Sequence, residues 1–198
     1  GLALPARALA EIARRNPHVV VIVDEAYVDF GGESCVPFVQ RGESANLMVV
    51  QTFSKSRSLA GGRLGLCIAP QPLIADLKRV KYSMNPYNIN RMTEAAGVAA
   101  LADRAYFEQN CAAIRATRAD AAQRLRQMGF TVLDSSTNFV FARTPRMPGG
   151  ELYLRLKDKG VLVRHFDAPR LTDWLRITIG SPEQMQGFFA ALEEILGR

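Results

Sequence analysis

The chain is poor in residue types that mark several classes of protein. It contains only three cysteines, Cys35, Cys67 and Cys111, which form no closely spaced pair, and only two histidines. An odd number of scattered cysteines is typical of reduced thiols in a cytosolic protein rather than of a disulfide framework. With so few histidines and no cluster of cysteines, a metal site is not expected. The longest apolar runs, such as residues 19–23, are far shorter than the roughly 20 residues that a membrane-spanning helix needs.

The positive charge of the chain is spread along its length. There are 25 lysines and arginines against 19 acids, which gives a formal net charge of +6. The basic residues mostly lie beside acids in helical patterns. This arrangement is typical of solvated helix faces rather than of nucleic-acid-binding surfaces. The apolar content of 48% is ordinary for a globular protein, and 198 residues suffice for one large domain or two small ones. We therefore expect neither a nucleic-acid partner nor a membrane partner.

Short apolar runs alternate with helical patterns along the chain. The predicted strands are residues 19–23, 47–50, 64–69, 131–133, 139–142, 161–163 and 174–179. The predicted helices are residues 6–15, 72–83, 89–102, 105–128, 150–159 and 182–196, and a loop that contains Gly31, Gly32 and Pro37 is expected before the strand that begins at residue 47. This alternation predicts an α/β fold, with a domain boundary near residue 105 within the second alanine-rich helix.

Four polar residues follow the first two predicted strands closely. Asp24 and Tyr27 lie just past the first strand, and Ser54 and Lys55 lie just past the second. In open α/β sheets, side chains beyond the carboxyl ends of strands line the ligand crevice. Taken singly, each has an ordinary explanation, since an acid after a strand often caps a helix and a loop lysine is usually solvated. Together they form the set of functional groups that one cofactor uses.

That cofactor is pyridoxal phosphate. It needs a lysine amine for a Schiff base, and a carboxylate that keeps the pyridine nitrogen protonated so that the ring acts as an electron sink. Lys55 and Asp24 supply these groups, and the phenol of Tyr27 can hydrogen-bond to the ring oxygen. A hydroxyl and a guanidinium for the phosphate come from Ser54 and from Arg63, which follows a turn of small residues.

Two longer segments carry a family resemblance. Residues 19–30, VVVIVDEAYVDF, and residues 52–65, TFSKSRSLAGGRLG, resemble the pyridoxal-phosphate-dependent class I/II aminotransferases of fold type I. Residues 85–88 (NPYN), 137–139 (TNF), 160–164 (GVLVR) and 174–180 (WLRITIG) fit the same family in the same order. Within that family, the closest resemblance is to the histidinol-phosphate aminotransferases. Gly62 departs from the pattern, which usually has an apolar residue there, but this removes no chemistry.

The resemblance implies a role for each of the five residues. It implies that Lys55 is the catalytic Schiff-base lysine and proton shuttle, and that Asp24 is the partner of the pyridine nitrogen. It implies that Tyr27 lies at the ring hydroxyl, and that Ser54 and Arg63 lie at the cofactor phosphate. All five are therefore expected to bind the cofactor.

Two arginines match substrate-binding positions of the family. Arg176 corresponds to the arginine that binds a substrate carboxylate or phosphate, and Arg164 to a second substrate-anion arginine, for which a surface strand residue is the ordinary alternative. The implied reaction transfers an amino group from a donor such as L-histidinol phosphate, or an amino acid, to 2-oxoglutarate in histidine biosynthesis. A cytoplasmic homodimer is implied for the full-length protein.

The resemblance covers only the C-terminal half of the family's two-domain unit. Residues 1–105 are expected to be part of the pyridoxal-phosphate-binding large domain, whose sheet is mostly parallel, and residues 106–198 the smaller α/β domain. The family's N-terminal arm, glycine-rich phosphate loop, pyridine-stacking aromatic and asparagine turn have no counterpart in the chain. We therefore expect the chain alone to be inactive, to hold the cofactor weakly or not at all, and to expose a broad hydrophobic surface.

Two other functions fit the same residues. A decarboxylase of the same fold, similar to threonine-phosphate decarboxylase, shares the pattern of aspartate, tyrosine, lysine and arginine. A non-catalytic sensor domain of a transcription regulator would also bind the cofactor through this set. Several of the substrate-contacting residues that separate these functions have no counterpart in the chain, so the sequence leaves all three open.

Overall fold

The computed structural model describes residues 1–197, in which helices alternate with short strands. Its α-helices are α1 (Ala6–Arg15), α2 (Val36–Gln40), α3 (Gln71–Met84), α4 (Arg91–Ala102), α5 (Arg104–Gln127), α6 (Gly149–Asp158) and α7 (Pro182–Leu196). Its strands are β1 (Val21–Asp24), β2 (Leu47–Thr52), β3 (Gly65–Ile68), β4 (Thr131–Val132), β5 (Phe139–Arg143), β6 (Arg164–His165) and β7 (Leu175–Thr178). Two 3-10 turns, Val28–Phe30 and Ala60–Gly62, follow β1 and β2. The predicted α/β class is confirmed.

These elements fall into two compact units, each with its own sheet. The N-terminal unit is Ala3–Asn110, and the C-terminal unit is Gly1–Leu2 together with the chain from Cys111 onward. The division lies within α5, the helix in which the boundary near residue 105 was expected. The assignment of the two parts of the chain to a large and a small domain of the family stays a prediction.

The N-terminal unit contains a three-stranded sheet in the order β1-β2-β3. β1 and β2 run parallel, with Asp24 opposite Val50. β3 runs antiparallel to β2, because residues 53–64 return the chain without a crossover helix and the Phe53 N–H donates to the Leu64 carbonyl over 3.0 Å. The resemblance implies a mostly parallel sheet. The sheet of this unit contains one parallel and one antiparallel pairing.

The apolar strand β1 is covered on one face only. The core beneath it consists of Ala6, Ala13, Cys35, Leu47 and Val49, with Val21 and Val23 packed against it. Ile22, in the middle of β1, is 60% exposed. Further large apolar side chains of this unit are exposed on α3 and α4, namely Leu77, Val80, Tyr82, Met84, Met92, Val98 and Leu101. These apolar side chains of the N-terminal unit are therefore exposed, and the broad hydrophobic surface that they would form together stays a prediction.

The C-terminal unit contains a four-stranded antiparallel sheet in the order β4-β5-β7-β6. Alternate residues of its central strands, such as Val140 and Leu175, are buried in one core with α5, α6 and α7. Because side chains alternate along a strand, Phe141 and Arg176 lie on the opposite face of the sheet. This second face carries both predicted substrate-binding arginines.

One predicted strand is wrong. Residues 161–163 form no strand, and pairing begins instead at Arg164 in β6. The physical reason is the end of α6, where the Val161 N–H donates to the Leu156 carbonyl over 2.9 Å. This bond passes over Gly160, whose φ of +75° is the usual left-handed ending of a helix. Residue 161 therefore closes a helix rather than extending a sheet.

The predicted helices agree closely with the structure. α1 and α7 have the predicted bounds, and the other predicted helices begin and end within two residues of prediction. The unpredicted helix is α2, which begins at Val36 with Pro37 in its first turn and so lies inside the predicted loop. No helix within the described part of the chain is both long and apolar enough to cross a membrane.

Candidate active site

Asp24 is the last residue of β1, and its side chain is exposed. The strand ends here because the apolar run stops and the chain turns. The Asp24 carboxylate accepts a hydrogen bond from the Ala26 N–H over 2.9 Å, which is an Asx turn. Tyr27 follows directly and precedes the 3-10 turn Val28–Phe30. The turn thus orients the carboxylate at the end of the sheet and brings Tyr27 to the same end.

Ser54 and Lys55 lie just past the end of β2. The Ser54 N–H donates to the Thr52 hydroxyl over 3.1 Å, which turns the chain at the end of the strand. The Lys55 side chain is exposed, and its Nζ lies 5.4 Å from the centroid of the Tyr27 ring. Because β1 and β2 are parallel, their carboxyl ends share one edge of the sheet. The structure therefore brings Lys55 and Tyr27 together.

Arg63 is placed by the connection between β2 and β3. It follows the turn Ala60–Gly62 and has a φ of +52°, a left-handed conformation that glycine usually occupies. Its exposed guanidinium donates to the first carbonyl of that turn over 3.1 Å. Within residues 1–197, neither Arg63 nor Ser54 is hydrogen-bonded to Lys55 or Asp24. Their contact with one shared ligand stays a prediction.

Glu25 is a buried carboxylate for which no local sequence pattern predicts a role. It is 7% exposed, although it directly follows the exposed Asp24. Its carboxylate accepts hydrogen bonds from the Ser34 hydroxyl (2.7 Å), the Cys35 N–H (2.5 Å) and Gln51 Nε2 (2.8 Å). It thereby ties the end of β1 to β2 and to the start of α2. The one signal in the sequence is the alternation of side chains along a strand, which puts the two acids on opposite sides.

Arg164 and Arg176 face each other directly across the β6–β7 pairing of the C-terminal unit. Like charges in opposite positions are unfavourable, by about 0.2–1 kcal/mol. The Arg176 Nε is also buried, with no hydrogen-bond partner among the described residues. Both costs would be relieved by an oxyanion bound between the two guanidinium groups.

Aromatic rings lie against these two arginines. The Arg176 Cζ lies 5.3 Å from the ring centroid of Phe139 and 5.9 Å from that of Phe166. The Arg164 Cζ lies 5.3 Å from the Phe166 ring centroid. Rings that stack on a guanidinium stabilise its charge while leaving its N–H edges for a ligand.

Comparison with known proteins decides the family. Residues 1–192 match the family model described as aminotransferase class I and II. The chain belongs to this family. Over 188 residues it is 50% identical to the histidinol-phosphate aminotransferase of Chromohalobacter salexigens. The matched region covers 95% of this chain and 53% of that aminotransferase. The chain spans about half the length of the curated relatives it matches.

Two solved structures share the fold of this aminotransferase chain. The histidinol-phosphate aminotransferase of Sinorhizobium meliloti, solved in complex with pyridoxal-5'-phosphate, has a TM-score of 0.87 at 25% identity, over 100% of this chain and 54% of that one. The L-threonine-O-3-phosphate decarboxylase of Porphyromonas gingivalis has a TM-score of 0.83 at 25% identity, over 98% of this chain and 60% of that one. The predicted fold type and the predicted membership of the class I/II aminotransferases are confirmed.

Proposed function

We propose that this chain is part of a pyridoxal-phosphate-dependent aminotransferase, which transfers the amino group of L-histidinol phosphate or a similar donor to 2-oxoglutarate. The observation that carries the proposal is the parallel pairing of β1 and β2. It puts Asp24, Tyr27 and Lys55 at one edge of a sheet, with the lysine amine 5.4 Å from the tyrosine ring. Similarity to histidinol-phosphate aminotransferases supports the substrate class.

The functional groups at this edge fit pyridoxal phosphate. Asp24 offers an exposed carboxylate for the pyridine nitrogen, and Lys55, which makes no ion pair within residues 1–197, offers a primary amine. Ser54 and Arg63 offer a hydroxyl and a guanidinium for the phosphate. When bound, pyridoxal phosphate supplies an electron sink for the charge that develops as a substrate C–H bond breaks.

Each residue of this set has a task that follows from its chemistry. Asp24 holds the proton on the pyridine nitrogen, because a nearby negative charge favours the protonated form of a base. The Tyr27 phenol hydrogen-bonds to the ring oxygen. Lys55 would hold the cofactor through its Nζ until the substrate amine replaces it there. The freed lysine amine would then take a proton from the substrate α-carbon and deliver it to the cofactor-side carbon, as general base and general acid.

The anionic group of the substrate binds between Arg164 and Arg176 in this proposal. A planar guanidinium holds a carboxylate or phosphate by two parallel hydrogen bonds, which a lysine cannot do. The buried Arg176 Nε without a partner supports this role, since a bound oxyanion would satisfy it. The amino donor and the oxo-acid acceptor take turns in this one site.

We further propose that residues 1–105 belong to the large cofactor-binding domain and residues 106–198 to the small domain of a cytoplasmic homodimer. The division of the chain after Asn110 supports these domains. Exposed apolar side chains on the N-terminal unit, including Ile22 and Met84, support burial of that unit against further polypeptide.

The experiment that tests the proposed function is Lys55→Ala in the full-length protein that contains this chain. After addition of pyridoxal phosphate and reduction with borohydride, peptide mapping by mass spectrometry should find a pyridoxyl group on Lys55 of the wild type and none on the variant. Formation of glutamate from 2-oxoglutarate and histidinol phosphate should be lost with it. Retained turnover would contradict the proposal.

A decarboxylase is the second candidate because of the structural similarity to the threonine-phosphate decarboxylase. The same protein should be offered threonine phosphate while CO2 release is measured. Release of CO2 without glutamate formation would favour the decarboxylase. Binding of the cofactor with neither product would favour the sensor domain.

A further inference from the structure

Lys55 lies in a segment with little regular structure to hold it. Residues 53–64 connect β2 to β3, and two residues of this segment, Ser58 and Arg63, have φ values of +55° and +52°. A left-handed conformation costs a non-glycine residue roughly 1–2 kcal/mol, so it persists only where surrounding contacts fix the backbone. Backbone hydrogen bonds from the Ser58 N–H to the Lys55 carbonyl (3.2 Å) and from the Leu59 N–H to the Phe53 carbonyl (2.9 Å) hold the turn itself. Two side-chain contacts next to Lys55 join this turn to other elements of the unit.

The first contact joins the lysine segment to the turn that carries Tyr27. The Ser56 hydroxyl donates to the Asp29 carboxylate, and Ser56 is 7% exposed. Asp29 lies within the 3-10 turn Val28–Phe30, two residues past Tyr27. Ser56 is therefore next to Lys55 in sequence, and Asp29 is close to Tyr27. The Lys55 amine and the Tyr27 ring lie 5.4 Å apart. The bond restrains the separation of Lys55 and Tyr27.

The second contact joins the lysine segment to the junction of α4 and α5. The Arg57 Nη1 donates to the Ala100 carbonyl over 2.6 Å, and Arg57 Cζ lies 4.0 Å from the Phe107 ring centroid. Ala100 is in the last turn of α4, where carbonyls lack partners within the helix and attract cations. Arg57 is half-buried, which strengthens its interaction with the ring.

We propose that Asp29 and Arg57 are positioning residues for Lys55. Asp29 acts through Ser56, and Arg57 acts through the α4–α5 junction. Because residues 56 and 57 are both anchored, the Lys55 backbone cannot shift without breaking one of the two contacts. The lysine amine is thereby kept over the Tyr27 ring. This inference rests on the proposed function, in which Lys55 Nζ holds the cofactor and moves the substrate proton.

The test uses the full-length protein with Ser56→Ala and Arg57→Gln, and with Arg79→Gln as a matched control. Arg79 is exposed on α3, and its side chain pairs with Asp76. The measurements are kcat, KM for the oxo acid, and the rate at which borohydride traps pyridoxal phosphate on Lys55. Because misplacing a reacting group by about 1 Å can cost on the order of 100-fold in rate, trapping and kcat should fall roughly 10- to 100-fold in both variants. KM should stay unchanged, and the control should match the wild type.

A double-mutant cycle separates positioning from a general loss of stability. Asp29→Ala and Ser56→Ala remove the same hydrogen bond, so the double variant should be no slower than either single variant. Ser56→Thr keeps a hydroxyl and should recover most of the trapping rate. Additive losses from Asp29→Ala and Ser56→Ala, or no recovery in a folded Ser56→Thr protein, would overturn the role of Asp29.

Arg57→Lys provides the second variant for the other anchor if Arg57→Gln does not fold. It keeps a charge and a donor but loses the planar group that stacks on Phe107, so trapping should still slow. Wild-type trapping and turnover in the folded arginine variants would overturn the inference while leaving Lys55 labelled. A pyridoxyl group absent from Lys55 in the wild type would instead overturn the proposed function itself.

Discussion

Replacing Arg176 by leucine should stabilise the fold while removing the substrate-anion site. The buried Arg176 Nε has no partner among the described residues, which costs about 1–3 kcal/mol. The opposing Arg164 adds a few tenths of a kcal/mol to this cost. Contacts with the rings of Phe139 and Phe166 offset it by about 0.5–1 kcal/mol each. The balance predicts that Arg176→Leu raises the free energy of unfolding by about 1 kcal/mol.

Urea denaturation of the 198-residue chain measures this change. The only tryptophan of the chain, Trp174, directly precedes β7, so its fluorescence reports unfolding of the C-terminal unit. Arg155→Leu is the control, because Arg155 pairs with Glu151 on the exposed surface of α6 and should change stability by less than about 1 kcal/mol.

Sulfate distinguishes an anion site from simple strain. It should stabilise the wild type more than Arg176→Leu, because sulfate stabilises both proteins by exclusion from their surface and only the wild type by binding. In the full-length protein, Arg176→Lys should weaken binding of both the amino donor and the oxo-acid acceptor. A clear destabilisation by Arg176→Leu, or equal stabilisation of both proteins by sulfate, would contradict an anion site at Arg176.

Four further predictions follow from other parts of the chain. Asp24→Asn in the full-length protein should lower kcat far more than cofactor affinity, because the charge of Asp24 acts mainly in the transition state. Steady-state kinetics and cofactor titration measure the two quantities, and an equal loss in both would contradict this role. The 198-residue chain alone should bind pyridoxal phosphate weakly and self-associate, and a stoichiometric complex on a monomer, seen by absorbance and light scattering, would contradict this. Burial raises the pKa of the Cys35 thiol to about 11, so it should stay protonated and react slowly with iodoacetamide at pH 8, as peptide mapping can check. Hydrogen bonds from Arg14 and Arg15 lower the pKa of Glu11 to about 2, so their stabilisation of α1 should be complete above pH 4.5 and lost as the pH falls towards 2, which circular dichroism would record.

The sequence was sufficient where a local pattern decides the structure. An apolar run that stops at Asp24, and a second that stops before Lys55, predict both strand ends and the residues placed there. The contacts that hold Lys55 are not local, since Ser56 bonds a residue 27 positions away and Arg57 one that is 43 positions away. No periodicity or motif in the chain reports such pairs, because they depend on how the helices pack.

Asp24 is exposed and Glu25 is buried, and this alternation depends on the number of residues in β1. It depends much less on which apolar residues the strand contains. Valine and isoleucine can replace each other in this strand without changing which acid faces outward. One inserted or deleted residue would exchange the two faces, bury Asp24 near Ser34 and Gln51, and expose Glu25. An insertion or deletion of one residue in β1 should therefore cost more stability than an exchange of valine for isoleucine.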